Sequence, residues 1–283
     1  MKLKIQNILR KLNFDPKKQL GQNFLVDDQL LEKIIDFSKI AQNDRILEIG
    51  PGLGILTERL IQSAAYVYGV EIDDILISYL QKKFSNYENF KLIHGDILKI
   101  PLPDYNKVVS NIPYSITGPI FEKVFFRSTP VPGILTIEKS LADRIFYTDQ
   151  YKNFSRITVT VNSFLKPVDR LEVSKSSFYP TPKIPISLIK LKPRANIDPF
   201  LKISESQNFY LDFIAGIMPY KNKNISNAIT YYSKTRSPGE ELTKKSVKAL
   251  LRDQKIDDKK VFMYSIKDFI SLAKKLYYNN INS

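Results

Sequence analysis

Asp44-Arg45-Ile46-Leu47-Glu48-Ile49-Gly50-Pro51-Gly52-Leu53-Gly54 passes from an apolar run, through one acid, into three glycines at alternate positions. The apolar part has the length of a strand, and glycine supplies the backbone conformations of a tight turn, so the stretch reads as a strand entering a loop. A helical apolar pattern follows from residue 55 to about 63. The theme repeats: a strand over 66–73 feeds a helix over 75–84, and residues 90–96 and 107–110 read as two further strands. Strands alternating with helices predict a parallel, doubly wound α/β sheet, whose ligands sit beyond the carboxyl ends of the strands. Glu71, Asp73 and Asp96 all fall at such ends.

Outward from this core, residues 2–12 read as a short basic amphipathic helix, and Gly21-Gln22-Asn23-Phe24-Leu25 as a loop that folds over something. Asp27 or Asp28 is placed to N-cap a helix running to Ile40. Residues 120–126 and 140–146 read as helices flanking a strand over 133–137. Arg156-Ile157-Thr158-Val159-Thr160-Val161 with Ser163-Phe164 continues the apolar pattern, and Phe178-Tyr179-Pro180-Thr181-Pro182-Lys183 is a proline-stiffened loop before a last strand over 186–191. The polar, proline-bracketed stretch 192–199 reads as a linker. Helical periods over 209–217, 225–232, 246–251 and 266–276 follow, so a domain over 1–192, with residues 1–26 as a basic segment and covering loop, precedes a helical, basic domain over 193–283.

Composition narrows the chemistry. The 283-residue chain has 43% apolar residues, enough for a proper core, and no unbroken apolar run of membrane-spanning length. With no apolar signal segment either, the expectation is a soluble, cytoplasmic, monomeric protein. No cysteine excludes thiol catalysis and disulfides, and a single histidine, His94, excludes a multi-histidine metal site, so no metal is expected. The net charge of +14 is uneven: residues 191–283 carry a net +8 and residues 1–190 a net +6. Such charge suits a polyanion such as RNA, although it also fits a lysine-rich composition that serves only solubility.

Glu48-x-Gly50-x-Gly52-x-Gly54, with Glu71 at the tip of the second strand, is a nucleotide-binding arrangement: the glycines admit close backbone approach and the carboxylate can bind two ribose hydroxyls. The G-x-G-x-x-G spacing of dinucleotide sites is missing. Asp96, ending the third strand, is placed to accept from an adenine amine. A pocket with two carboxylates fits ribose, adenine and a cationic centre better than a pyrophosphate, which describes S-adenosylmethionine. Glu48 reads equally as a structural residue or a ligand contact.

After the fourth strand stands Asn111-Ile112-Pro113-Tyr114, an amide, an extended residue before proline and an aromatic ring. It suits a flat ring bearing an amine. The Asn111 side-chain oxygen and a backbone carbonyl at Ile112 or Pro113 would accept the two N–H bonds, draw the nitrogen toward tetrahedral geometry and free its lone pair. Tyr114 would stack on the base.

These motifs resemble, in order and spacing, the ribosomal RNA adenine N6,N6-dimethyltransferases: Gly21–Leu25, Glu48–Gly54, Glu71-Ile72-Asp73, Gly95-Asp96, Asn111–Tyr114 and Phe178–Lys183. The resemblance covers residues 17–191 closely and the tail loosely. It implies a class I, Rossmann-like methyltransferase domain with a small C-terminal all-helical domain. It also implies cofactor contacts at Asn23, Leu25, Gly50, Gly52, Glu71, Ile72, Asp96, Ile97 and Asn111, and a second stacking ring, Phe178. The implied activity is dimethylation of adjacent adenines near the 3′ end of small-subunit ribosomal RNA, with the small subunit or its precursor as partner. The rivals are a resistance-type enzyme acting on a large-subunit adenine and an assembly factor in which RNA binding outweighs catalysis. The chain departs from the family pattern at Ile184-Pro185-Ile186 and at Ser140, where an acid is usual.

Overall fold

A computed structural model describes residues 1–17, 21–113, 116–147, 154–236, 242–253 and 255–281. The elements that position the site are α1 (Lys2–Lys11), β1 (Phe24–Leu25), α2 (Asp28–Ser38), β2 (Arg45–Ile49), α3 (Ile55–Ser63), β3 (Tyr66–Glu71), α4 (Asp74–Lys83), β4 (Phe90–His94), β5 (Lys107–Asn111) and α5 (Thr117–Ile120). They continue with β6 (Gly133–Glu138), α6 (Lys139–Ile145), α7 (Arg156–Phe164), β7 (Leu165–Val173), β8 (Phe178–Tyr179) and β9 (Ile186–Pro193). The helices α8 (Ser204–Ile217), α9 (Ile225–Arg236), α10 (Lys244–Asp253) and α11 (Ile266–Ile281) complete the chain.

Seven strands form one sheet in the order β4-β3-β2-β5-β6-β9-β7. Its first five strands are parallel, as the alternation of strand and helix requires, whereas β9 runs antiparallel to both β6 and β7. The sheet is therefore mixed at one edge. β7 was not separable from the apolar pattern before it, because helix α7 leads into it without a break. Its half-polar sequence and its Pro167 suit an edge strand, where a missing N–H costs no ladder bond. The expected helix over 120–126 is a short α5 followed by a π-helical stretch, Phe121–Phe125, closed by Phe126 N–H donating to Phe121 O at 3.2 Å.

The chain divides into two compact units. The first takes Met1–Phe126, Pro130–Asp143 and Leu165–Pro193; the second takes Arg127–Thr129, Arg144–Phe164 and Arg194–Ser283. In the first, Ile46, Val67, Val109, Ile134 and Leu188 of the strands pack with Leu30, Leu31, Ile34, Leu56 and Leu60 of the helices in one apolar cluster. Asp27 caps α2 by accepting from Gln29 N–H at 2.9 Å, and its other oxygen accepts the Ser177 hydroxyl at 2.6 Å, which ties the start of α2 to the loop before β8. At the opposite end of the sheet from the glycine turn, buried Lys107 pairs with buried Asp44 and donates to the Lys39 carbonyl at 3.0 Å. In the second unit, α7 contributes Ser163, whose hydroxyl meets that of fully buried Tyr210 at 2.7 Å.

Candidate cofactor and methyl-transfer site

The turn after β2 is built from glycine because its backbone demands it. Gly52 and Gly54 have φ of +62° and +69°, and a Cβ on Gly54 would lie 2.5 Å from the Phe84 ring. No other residue fits both the conformation and the space. Lys83, near the end of α4, holds the turn from behind, donating to the carbonyls of Leu53 and Gly54 at 3.1 Å each and pairing with Glu58 at 3.2 Å. Burial lowers its pKa, and Glu58 opposes that effect.

Glu71 closes β3 with both oxygens engaged by backbone. Oε2 accepts from Gly52 N–H at 3.1 Å, and Oε1 from Ile72 and Asp73 N–H at 2.9 and 3.1 Å. The carboxylate thus joins the glycine turn to the start of α4, and its burial raises its pKa. Asp73 N-caps α4 and is met by Lys17 at 2.6 Å; burial pushes the Asp73 carboxyl up, but Lys17 and the cap N–H groups outweigh it and hold it low. Asp96 accepts from Leu98 N–H through Oδ1, and Oδ2 lies 3.7 Å from Lys99.

Glu48 sits on β2, buried, with no hydrogen-bond partner for Oε2. Burial pushes its carboxyl up to about 8; nearby Glu71 adds to the rise, while Thr57 and Lys83 oppose it. Burial therefore favours the protonated form of this carboxyl, and a positive charge in the cavity would favour its ionised form.

Asn111 ends β5, and its amide is gripped at both ends. Nδ2 donates to the Asn23 carbonyl at 2.8 Å, and Oδ1 accepts the hydroxyl of buried Thr136 from β6. Asn23 is steadied by donating from Nδ2 to Gly21 O at 3.0 Å, and the next two residues, as β1, pair antiparallel with β8.

Every residue expected to contact the cofactor lines one cavity of about 280 Å³: Asn23, Leu25, Gly50, Gly52, Glu71, Ile72, Asp96, Ile97 and Asn111. Glu48 and Pro113 share its wall. Half-exposed Ile72 gives an apolar surface beside Glu71, and Gly50, Pro51 and Gly52 of the turn line the same cavity. An orphaned carboxyl oxygen, two further acids and a glycine turn in the wall fit a ligand with ribose, adenine and positive charge.

The expected target-base residues are placed unevenly. Ile112 is buried, and Pro113 faces the cavity. The Pro113 carbonyl already accepts from Ile116 N–H at 3.4 Å and the Thr117 hydroxyl at 3.3 Å, so both of its lone pairs are engaged. Tyr114 lies outside the described residues. Phe178 departs from the expectation of a ring offered to a base: it has no exposed surface, because β8 buries it in the apolar cluster with Leu25 and Ile186. Thr136, Lys83 and the Lys17–Asp73 pair were not singled out in the sequence. The one signal for Thr136 was a hydroxyl inside the otherwise apolar run Ile134-Leu135-Thr136-Ile137.

Among the described residues no helix is long and apolar enough to cross a membrane. The family described as "Ribosomal RNA adenine dimethylase" matches residues 13–271. A probable ribosomal RNA small subunit methyltransferase A of Methanococcoides burtonii is 36% identical over 74% of this chain and 75% of its own. One of the same description from Thermococcus sibiricus is 32% identical over 96% of both chains. Among solved structures, a dimethyladenosine transferase from Plasmodium falciparum superposes with a TM-score of 0.72 at 25% identity, covering 91% of this chain and 98% of that one.

Proposed function

The chain belongs to the ribosomal RNA adenine dimethylase family, and from that membership we propose that it dimethylates N6 of adjacent adenines near the 3′ end of small-subunit ribosomal RNA during subunit assembly. It is an S-adenosylmethionine-dependent methyltransferase, and its substrate is ribosomal RNA. The observation that supports methylation of an amine is the Asn111 amide, held at both ends, on a residue that lines the same cavity as Glu71, Asp96 and the glycine turn.

When bound, the cofactor supplies an electrophilic methyl group on a sulfonium. Asn23, Leu25, Gly50, Gly52, Ile72 and Ile97 would shape its bed, Glu71 would meet the ribose and Asp96 the adenine amine. The target amine is a poor nucleophile because its lone pair is delocalised into the ring. Asn111 Oδ1 keeps one lone pair beyond that used by Thr136. Together with the Ile112 carbonyl it can accept both N–H bonds, localising the lone pair on nitrogen. The rest of the acceleration comes from holding the two groups in line. The methylated nitrogen is acidic and gives its proton to water, so no histidine or thiol is needed, in keeping with one histidine and no cysteine. As read from the sequence, the Tyr114 ring would stack on the extruded base, and the helical unit's positive charge would serve RNA phosphates.

The relatives named for the small subunit favour that target over a large-subunit adenine. Tritiated methyl transfer into purified small and large ribosomal particles separates the two: label is expected in the small particle, and label confined to the large one would contradict this reading. Duplex DNA offered in parallel should remain unlabelled.

A further inference from the structure

We propose that Thr136 is a positioning residue for methyl transfer, whose hydroxyl holds the Asn111 amide so that one oxygen lone pair stays turned to the target amine. The inference rests on the reading of Asn111 as an acceptor for that amine.

Three separate segments meet at this amide. β5 and β6 run parallel with Asn111 and Thr136 as register partners, so the two side chains stand side by side on one face of the sheet. The Thr136 hydroxyl donates to Asn111 Oδ1, and Asn111 Nδ2 donates to the Asn23 carbonyl of the covering loop at 2.8 Å. An asparagine amide is almost symmetric in shape, and its two ends differ only in accepting or donating. The Asn23 carbonyl can only accept, so it selects the end that faces it; Thr136 then fixes the torsion of the other end. With both bonds made, the amide has a single orientation.

The arrangement also changes the oxygen that the amine meets. Donation into Oδ1 and acceptance from Nδ2–H both favour the charge-separated form of the amide, which strengthens Oδ1 as an acceptor for a second donor. Thr136 is 1% exposed, so water has little access to replace its hydroxyl. A buried hydroxyl within an apolar strand is costly unless it is bonded, and its bond here goes to the amide that faces the chemistry. The chain Thr136–Asn111–Asn23 thereby links the sheet to the loop that lines the cofactor cavity.

The test compares Thr136→Val, which keeps the shape and removes the hydroxyl, with Thr136→Ser, which keeps the hydroxyl. Cofactor affinity is measured by calorimetry, and kcat and KM with undermethylated small-subunit particles. The Val variant should bind cofactor and particles within about threefold of the native protein while kcat falls roughly 10- to 100-fold, the size expected for losing one bond to a buried acceptor. The Ser variant should recover most of that loss. Turnover of the Val variant within twofold of native, a Ser variant as slow as Val, or a parallel loss of cofactor affinity in the Val variant would each overturn the proposal. Asn111→Ala, run alongside, separates the two claims: if it turns over normally, the reading of Asn111 fails, whereas an inactive Asn111→Ala beside a fully active Thr136→Val leaves that reading standing and removes Thr136 alone.

Discussion

Replacing Glu48 by Gln removes a carboxyl that burial keeps protonated, and the consequence for the ligand-free protein has a sign fixed by the structure. Glu48 is 2% exposed, and its carboxyl rises from 4.5 to about 8, chiefly through burial. Below the lower value the group carries its proton in folded and unfolded chains alike. As pH rises above 4.5, the unfolded chain releases this proton while the folded chain keeps it, so the folded state loses stability until pH passes about 8, and no further beyond. At about 1.4 kcal/mol for each decade between the two values, the whole loss is on the order of 5 kcal/mol. Gln has no proton to release and lacks this slope. Thermal unfolding of both proteins between pH 5 and 8.5 should therefore show the variant gaining on the native chain as pH rises, by roughly 10 °C over the range. Parallel curves would refute the assignment of Glu48 as a buried neutral acid.

Other expectations follow from the same geometry. Asn111→Ala should still bind cofactor in calorimetry, less tightly because Asn111 lines the cavity, and lose methyl transfer by on the order of 100-fold or more. Gly54→Ala forces a methyl against Phe84 and a non-glycine residue to φ +69°, so it should destabilise the first unit by about 3 kcal/mol in denaturant titration and weaken cofactor binding at least tenfold. Lys107→Met leaves the buried Asp44 carboxylate without its ion partner and should cost about 3–5 kcal/mol, much of it restored by adding Asp44→Asn. Binding of small-subunit particles, followed by filtration, should weaken steeply with salt, and a flat response would argue against phosphate contacts.

The parts of the site legible in the sequence are those that chemistry confines to short spacings. Gly50, Gly52 and Gly54 announce themselves because each takes a positive φ, and at Gly52 and Gly54 a side chain would also press on Phe24 or Phe84. Glu71, Asp96 and Asn111 do so because each ends a strand, where a doubly wound sheet puts its ligands. What stayed hidden depends on which distant segments the fold makes neighbours. Thr136 reaches Asn111 only because β6 lies beside β5, and Lys17 reaches Asp73 only because the N-terminal segment runs past the start of α4. That the Pro113 carbonyl is engaged could not be read either, since it depends on Ile116 and Thr117 turning back onto Pro113. Phe178 shows the ambiguity of an aromatic residue: the same ring suits a base or a core, and β8 places it in the core. The antiparallel edge of the sheet was obscured because β7 is half polar and continues directly from α7.

Mass spectrometry of ribosomal RNA from cells lacking this gene puts the reaction itself to the question. N6,N6-dimethyladenosine should vanish from small-subunit RNA and return when the native chain is supplied, but not when Asn111→Ala is supplied. Small-subunit RNA that keeps its full dimethyladenosine without the gene, or a loss found only in large-subunit RNA, would contradict the reaction assigned to this cavity.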